Sequence, residues 1–163
     1  MGQGMMTMAF IISIGMLTMF FSDVEQNQHN PNRTPTSQHT GEGAQVQLTS
    51  NRQGHYVVTG QINRQAVEFL LDTGATDVVI PEAVARQLGL RAGQPYRAST
   101  ANGTVTVYST FIDELKIGDI TLYNVRASIN PAMRPPSILL GMSALKQIEF
   151  IQVGDSLTLR QSY

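Results

Sequence analysis

The sequence contains no cysteine, so disulfide bonds, thiol catalysis and cysteine-based zinc sites are excluded. Two catalytic motifs are also missing. Without a Gly-x-Ser-x-Gly segment, the nucleophile motif of many serine hydrolases is absent. Without His-Glu-x-x-His, the helix motif of many zinc proteases is absent too, and we expect no metal site and no cofactor. These absences leave the acidic residues as the candidates for chemistry.

Charge is scarce as well. Charged residues make up 14% of the 163 positions, and the formal net charge is −1. A balance so close to neutral gives no electrostatic reason to expect a nucleic acid as partner. Hydrophobic residues make up 42% of the chain, which is enough for one core in a single domain of ordinary size.

The N-terminal segment 1–22 has no charged side chain, and residues 5–21 are dense in methionine, isoleucine, leucine and phenylalanine. As a helix, residues 5–21 span roughly 26 Å, against a hydrocarbon thickness of about 30 Å. A basic n-region and a small-x-small cleavage site are both missing, which favours a retained anchor over a cleaved signal. The sequence thus predicts an N-terminal transmembrane or signal-anchor helix over 1–22, with 5–21 in the membrane.

The next segment, residues 23–43, is polar, and Val24 is its one large apolar residue. Such a composition cannot bury enough apolar surface to fold alone. We therefore expect a disordered polar linker over 23–43 and a folded domain over 44–163. His29 and His39 lie in this linker, where solvation is a better expectation than metal binding.

From residue 44 onward, short apolar or alternating runs are separated by turn signals every 8–12 residues or so, which indicates an all-β fold, closed or sandwich-like. Helical patterns are short: Pro81 suits the start of one helix, Gly89 suits its end, and a second covers 142–147. The expected strands are 45–48, 56–62, 66–72, two strands within 96–111, 112–117, 120–129, 138–140, 148–153 and 157–159.

One carboxylate stands out. Asp72 ends the apolar run Phe69–Leu71, and a second apolar run, Val78–Ile80, follows a few residues later. Both runs are typical of buried strands, where a charge costs free energy unless it is hydrogen-bonded or takes part in chemistry. Gly74 lets backbone amides approach the carboxylate closely. The alternative is an ordinary Asp-Thr-Gly turn that Asp72 merely caps.

The stretch Phe69-Leu70-Leu71-Asp72-Thr73-Gly74-Ala75 resembles the active-site loop of retropepsin-like, or retroviral-type, aspartic proteases. A second family signature is an apolar triplet that ends in glycine before a short helix, and Ile138-Leu139-Leu140-Gly141 is similar to it. The resemblance covers residues 56–159 and is to the bacterial single-domain, membrane-anchored members in particular. It implies a retropepsin-like closed β-barrel, the acid protease fold, with two short helices.

The resemblance also implies an aspartic endopeptidase that acts on peptides or proteins. Two carboxylates about 4 Å apart repel by around 4 kcal/mol at an effective dielectric of 20, which separates their titration steps by about three pKa units. One carboxylate then takes a proton from water, and the protonated one polarises the scissile carbonyl. The chain has one Asp-Thr-Gly, so the second Asp72 must come from another copy in a two-fold homodimer.

Further site residues follow from the same resemblance. The active-site loop also contains Thr73, Gly74 and Ala75, and Thr73 is expected to bond across the dimer interface. Substrate-binding residues are Thr76, Asp77 and a flap tip of Ala101, Asn102 and Gly103. The supporting loop is Ile138, Leu139, Leu140 and Gly141. Viral enzymes of this family usually carry an acidic residue where Thr76 stands and an arginine where Met142 stands. The ion pair that these two residues form in the viral enzymes is therefore absent here.

Alternatives stay open for the domain and for the hairpin. The domain is alternatively a catalytically inactive dimerisation or peptide-binding module, and the hairpin at Asn102-Gly103 is alternatively a plain surface hairpin. An aspartyl-phosphate mechanism is disfavoured, because Gly74 stands where that motif needs a second acid. By resemblance, we expect a single-pass protein of the bacterial inner membrane with its catalytic domain in the periplasm.

Overall fold

The computed structural model describes residues 2–41, 43–100, 103–134 and 136–162. Within these ranges the chain forms three helices and eleven strands. The helices are α1 (Gly2–His29), α2 (Glu82–Gln87) and α3 (Met142–Leu145). The strands are β1 (Ser37–Thr40), β2 (Gly43–Thr49), β3 (Val57–Ile62), β4 (Gln65–Leu71), β5 (Val78–Pro81), β6 (Pro95–Thr100), β7 (Gly103–Ile117), β8 (Ile120–Asn130), β9 (Ile138–Leu140), β10 (Glu149–Val153) and β11 (Ser156–Ser162).

The strands form two sheets. Seven pair in the order β3-β4-β9-β5-β8-β7-β6, and β3 also pairs with β7. This extra pairing joins β3, β4, β9, β5, β8 and β7 into a closed ring, with β6 attached outside it. The remaining four strands form a sheet in the order β1-β2-β11-β10. The predicted all-β architecture with two short helices in the folded domain is confirmed.

Tight turns account for the predicted hairpins. Asn63 and Arg64 join β3 to β4 with φ angles of 48° and 66°, the left-handed pair that a two-residue turn between twisted strands requires. Gly118 (φ 56°) begins the turn between β7 and β8, and Gly154 (φ 58°) begins the turn between β10 and β11. The residues of these short turns fix the register of the strands that they join.

The core combines side chains from both sheets and from α2 and α3. On β2 they come from alternate positions, Ala44, Val46 and Leu48, as the two-residue period of a half-buried strand demands. Phe69 on β4 is fully buried and lies three residues before Asp72. The largest fully buried side chains are Phe69, Leu48, Ile62, Ile80, Ile112, Leu115, Ile117, Ile120, Ile138, Leu140, Leu145 and Leu159.

Helix α1 is longer than the predicted span. Residues Gly4–His29 are long and apolar enough to cross a membrane, and the helix lies near the N-terminus, where a signal sequence has the same character. Its large side chains face outward, with Phe10 and Phe20 66% and 64% exposed. The predicted N-terminal apolar helix is therefore present.

The prediction of a disordered linker over 23–43 is wrong for the described part of that segment. Helix α1 continues to His29, and β1 pairs with β2 in antiparallel register. Asn30 and Asn32 are buried, with exposures of 2% and 7%. The segment orders itself through hydrogen bonds rather than through apolar burial, which composition alone does not show.

Asn32 carries much of this ordering. Its side-chain amide donates to the carbonyl oxygens of Thr49 (2.9 Å) and Val57 (2.7 Å), and its carbonyl oxygen accepts from the Thr49 amide (2.8 Å). Because Thr49 ends β2 and Val57 begins β3, one side chain connects the two sheets. The polar segment is thereby attached to the domain.

The two histidines of this segment are also more ordered than expected. His29 Nε2 lies 2.9 Å from Glu68 Oε1, and His39 Nε2 lies 3.0 Å from Asp119 Oδ2. Both rings remain more than half exposed. Glu68 also accepts hydrogen bonds from Ser137 Oγ (2.8 Å), so its carboxylate joins the end of α1 to β4 and to the start of β9.

We predict that Asn32→Ala lowers the free energy of unfolding by about 3 kcal/mol, because each buried polar group left without its partner costs about 1–3 kcal/mol. Chemical unfolding of the detergent-solubilised chain, followed by circular dichroism, measures this. Gln38→Ala on the exposed face of β1 is the matched control and should change the value by less than about 0.5 kcal/mol. Equal stability of the two variants would contradict an anchoring role for Asn32.

Candidate active site

The two sequence signatures lie side by side. Strands β4 and β9 pair in parallel, with Leu70 opposite Leu139 and Leu71 opposite Leu140. The Asp72 amide continues this ladder by donating to the Leu140 carbonyl oxygen at 3.2 Å. The parallel pairing therefore places the loop after β4, residues 72–77, directly against the segment that follows β9.

Asp72 is half-buried and held by its own loop. The Gly74 amide donates to Asp72 Oδ1 at 2.9 Å, and the Ala75 amide donates to the Asp72 carbonyl oxygen at 3.2 Å. A Cβ atom at position 74 would lie 3.1 Å from that carboxylate oxygen, so glycine suits the close approach. The loop therefore fixes one of the two carboxylate oxygens.

The segment after β9 packs against this turn. The Met142 amide donates to the Ala75 carbonyl oxygen (2.8 Å), and the Ser143 amide donates to that of Thr76 (2.9 Å). Ile138 and Leu140 point into the core with exposures of 0% and 1%. The start of α3 thus holds the 72–77 loop through its backbone.

Ser143 is a supporting residue that the sequence did not single out. Its hydroxyl accepts from the Val78 amide at 3.0 Å and donates to the Arg126 carbonyl oxygen at 2.7 Å. It therefore joins α3 to β5 and β8 at the base of the loop. A serine two residues after the glycine of the second signature is the only local hint of this role.

Gly141 has no room for a side chain. A Cβ atom there would lie 2.7 Å from the Ala75 carbonyl oxygen and closer still to that of Asp77. We predict that Gly141→Ala displaces the 72–77 loop and costs about 1–3 kcal/mol of stability. A displacement near 1 Å at the reacting groups lowers a catalytic rate by about 100-fold.

The matched control for this change is Gly41→Ala, because an added Cβ meets nothing within 4 Å there. Thermal unfolding and peptide cleavage of both variants make the measurement. If Gly141→Ala matches Gly41→Ala in both assays, the close backbone approach is not needed by the loop.

A cleft of about 580 Å³ opens over the loop. Predicted site residues that line it are Asp72, Gly74, Ala75, Thr76, Asp77 and Leu139. Thr73 and Gly103 are not among the lining residues, and Ile138, Leu140 and Gly141 lie behind the loop. Ala101 and Asn102, the predicted flap tip, lie outside the described residues.

The β6–β7 hairpin forms the opposite wall of the same cleft. The lining residues from this hairpin are Tyr96, Arg97, Ala98, Ser99, Thr100, Val105 and Val107. The two strands pair in regular antiparallel register from Pro95 opposite Tyr108 to Thr100 opposite Gly103. The hairpin and the Asp72 loop thus line one shared cleft.

Asp77 lies at the centre of a polar network that joins the 72–77 loop to strands β6 and β8. Arg126 Nε donates to Asp77 Oδ1 at 2.7 Å, and the Tyr96 hydroxyl donates to Asp77 Oδ2 at 3.1 Å. The Asp77 side chain is 12% exposed, whereas that of Arg126 is 59% exposed. Sequence reasoning included Asp77 but missed Tyr96 and Arg126, because neither belongs to a motif.

Two members of this network, Tyr96 and Arg126, have shifted pKa values. Partial burial raises the pKa of Tyr96 above its ordinary value, and the Asp77 carboxylate raises it further, while a hydrogen bond with Ser128 lowers it. The hydrogen bond with Asp77 raises the pKa of Arg126. At neutral pH the tyrosine is therefore a proton donor and the arginine is charged.

A larger cavity of about 690 Å³ lies elsewhere, between the end of α1 and β4. Its lining includes His29 and Glu68 but no residue of the 72–77 loop. Among the residues that the structure describes, no group of three or more histidine and acidic side chains is placed to hold a metal ion.

Residues 58–147 match the family model described as gag-polyprotein putative aspartyl protease. The chain belongs to this family. A curated protein from Sinorhizobium sp, described as an uncharacterized protein in the cobV 5' region, is 32% identical over 124 residues. The match covers 73% of this chain and 53% of that protein, so the chain spans about half the length of its curated relative.

A solved structure of an aspartic protease resembles the chain in fold. The crystal structure of a retropepsin-like aspartic protease from Rickettsia conorii superposes with a TM-score of 0.60 at 22% identity, over 78% of this chain and 95% of that one. The EIAV protease complexed with the inhibitor HBY-793 gives a TM-score of 0.48 at 24% identity, over 61% of this chain and 92% of that one. The fold of this aspartyl protease family member is retropepsin-like.

Proposed function

We propose that this protein is an aspartic endopeptidase that cleaves peptide bonds with a water molecule activated between two Asp72 carboxylates. The observation that carries the proposal is the placement of Asp72. Its carboxylate is held by the Gly74 amide at the floor of a cleft that a β-hairpin encloses, in a chain of the aspartyl protease family.

The second carboxylate must come from another copy of the chain. The described acidic residues that line the cleft are Asp72 and Asp77. Asp77 accepts from Arg126 on one oxygen and from Tyr96 on the other. A carboxylate engaged on both oxygens by an arginine and a phenol is poorly suited to share a proton with Asp72. A two-fold axis beside the 72–77 loop brings two Asp72 side chains together instead.

The mechanism follows from the shared proton. The ionised Asp72 takes a proton from water, which attacks the scissile carbonyl, while the protonated Asp72 of the other copy donates to the carbonyl oxygen. The tetrahedral intermediate then collapses as a proton passes to the leaving nitrogen. No cofactor is required. The β6–β7 hairpin acts as the flap, which excludes water and holds the substrate in an extended conformation.

Strand β10 is the surface that we assign to dimerisation. It is the last strand of its sheet, and Phe150, Ile151 and Val153 are 39%, 51% and 73% exposed. An apolar edge strand offers unpaired backbone groups to another chain. Helix α3, whose start supports the Asp72 loop, leads directly into β10, so pairing there positions the loop relative to the partner. We propose antiparallel pairing of two β10 strands about the two-fold axis.

Helix α1 is proposed to anchor the enzyme as a single-pass protein of the bacterial inner membrane, with the catalytic domain in the periplasm. Its length, composition and exposed apolar side chains support the assignment. Confinement to a membrane raises the local concentration of subunits. Dimerisation is thereby favoured at low copy number.

The test is cleavage of a diverse peptide mixture by the full chain in detergent micelles, between pH 4 and 7, with products identified by mass spectrometry. New termini that depend on Asp72 support the proposal. A native dimer that binds peptides from the mixture but cleaves none of them would identify an inactive peptide-binding module instead.

A further inference from the structure

We infer that Arg126 is a positioning residue, which with Asp77 and Tyr96 forms a clamp that fastens strand β6 of the hairpin to the Asp72 loop. The inference rests on the proposed function, since it assigns these residues to substrate binding by the flap. It also makes a claim about the hairpin that is measurable without any catalysis.

The clamp is built by strand register. Strands β5 and β8 pair in parallel with Val78 opposite Ala127. The residues just before this pair are Asp77 and Arg126, so the register places them side by side. Their hydrogen bond of 2.7 Å joins opposite charges and is of the short, charge-assisted kind. The Ser143 hydroxyl accepts from the Val78 amide and donates to the Arg126 carbonyl oxygen, so it stabilises the junction between β5 and β8.

Tyr96 extends the clamp across the cleft. It lies on β6, the strand attached outside the closed ring, which pairs with β7 at one edge. From there its hydroxyl reaches Asp77 Oδ2 at 3.1 Å. The bond therefore connects β6, which pairs with a strand on one side only, to the 72–77 loop, which is hydrogen-bonded to both β9 and α3. Loss of the bond frees β6 to move away from the loop.

The clamp also sets the charge of the cleft wall. Asp77 lines the cleft, yet both of its oxygens are engaged and its side chain is 12% exposed. Arg126 supplies the compensating charge. Without it, Asp77 would add an uncompensated negative charge to the cleft wall. The expected consequence is weaker binding of neutral substrates, with the chemistry at Asp72 retained.

Two variants test the clamp from its two ends. Arg126→Gln removes the charge, and Tyr96→Phe removes one hydroxyl with little change of shape. Arg126→Lys keeps the charge and should recover part of the native behaviour. Arg52→Gln is the matched control, because Arg52 is exposed in a turn outside the cleft lining.

The first readout is amide hydrogen exchange of residues 96–100 in the full chain in micelles. We expect exchange there to be about fivefold faster in Arg126→Gln and Tyr96→Phe, a size typical of losing one partly exposed polar contact. Arg52→Gln should exchange as the native chain does. Unchanged exchange over 96–100 in both clamp variants overturns the inference.

The second readout is steady-state kinetics on a peptide that the native enzyme cleaves. We expect KM to rise about fivefold in Arg126→Gln with kcat within about twofold of native, because the clamp acts on binding rather than on the reacting groups. An equal loss in kcat with KM unchanged overturns the positioning role. If the native chain cleaves no peptide, the proposed function fails, while hydrogen exchange still decides whether the clamp exists.

Discussion

Asp72→Asn is expected to lower peptide cleavage by at least about three orders of magnitude, because an amide cannot take a proton from water or share one with the partner carboxylate. The asparagine keeps an Oδ1 acceptor for the Gly74 amide, so the loop should retain its shape. Asp113→Asn on the exposed side of β7 is the matched control and should cleave at the native rate. Equal cleavage by the two variants would exclude Asp72 as the catalytic carboxylate.

Mixing the native chain with Asp72→Asn tests whether the site is shared. If each active site needs two Asp72 residues, an equilibrated equal mixture contains only about one quarter native dimers, and the activity per total protein falls accordingly. Independent single-chain sites would leave about half of the activity. The ratio is measured after unfolding and joint refolding, or after co-expression with separable tags.

The second large effect is expected from lysines at positions 151 and 153. Ile151→Lys with Val153→Lys places two charges on one face of the β10 edge, where an antiparallel partner would bring like charges opposite each other. We expect the dimer to dissociate in analytical ultracentrifugation and the specific activity to fall by more than about 100-fold. Native activity should fall faster than linearly on dilution.

The matched control is Tyr123→Lys, because Tyr123 is 61% exposed on β8. This position is about as exposed as those of β10 but belongs to the other sheet. The control should remain dimeric and active. A β10 variant that sediments as a dimer and cleaves at the native rate would remove β10 from the interface.

The strands and turns are predictable because their causes are local. Alternating apolar residues predict β2. Gly118 and Gly154 indicate hairpin turns, where the backbone adopts a left-handed conformation. The parallel pairing of β4 with β9 is not local, and the sequence did not predict it. The resemblance implied only that Ile138–Gly141 form a supporting loop for the segment that carries Asp72. Sequence pattern together with family resemblance therefore predicts the fold and the loop that carries Asp72.

The features that escaped prediction depend on partners far along the chain. Asn32 looks like part of a solvated tract until Thr49 and Val57 supply its hydrogen bonds. Arg126 looks like one exposed charge on β8 until the register of β5 brings Asp77 beside it, 49 positions earlier in the sequence. Polar contacts of this kind have no periodicity, so composition and pattern do not show them.

The segment that holds the Asp72 loop has a consequence for the timing of assembly. Every backbone bond from β9 and α3 to the loop comes from residues 140–143, almost seventy positions downstream. Contacts so distant in sequence form late, because a long intervening segment must be closed first. During synthesis the loop therefore lacks these backbone hydrogen bonds until residues 140–143 have left the ribosome.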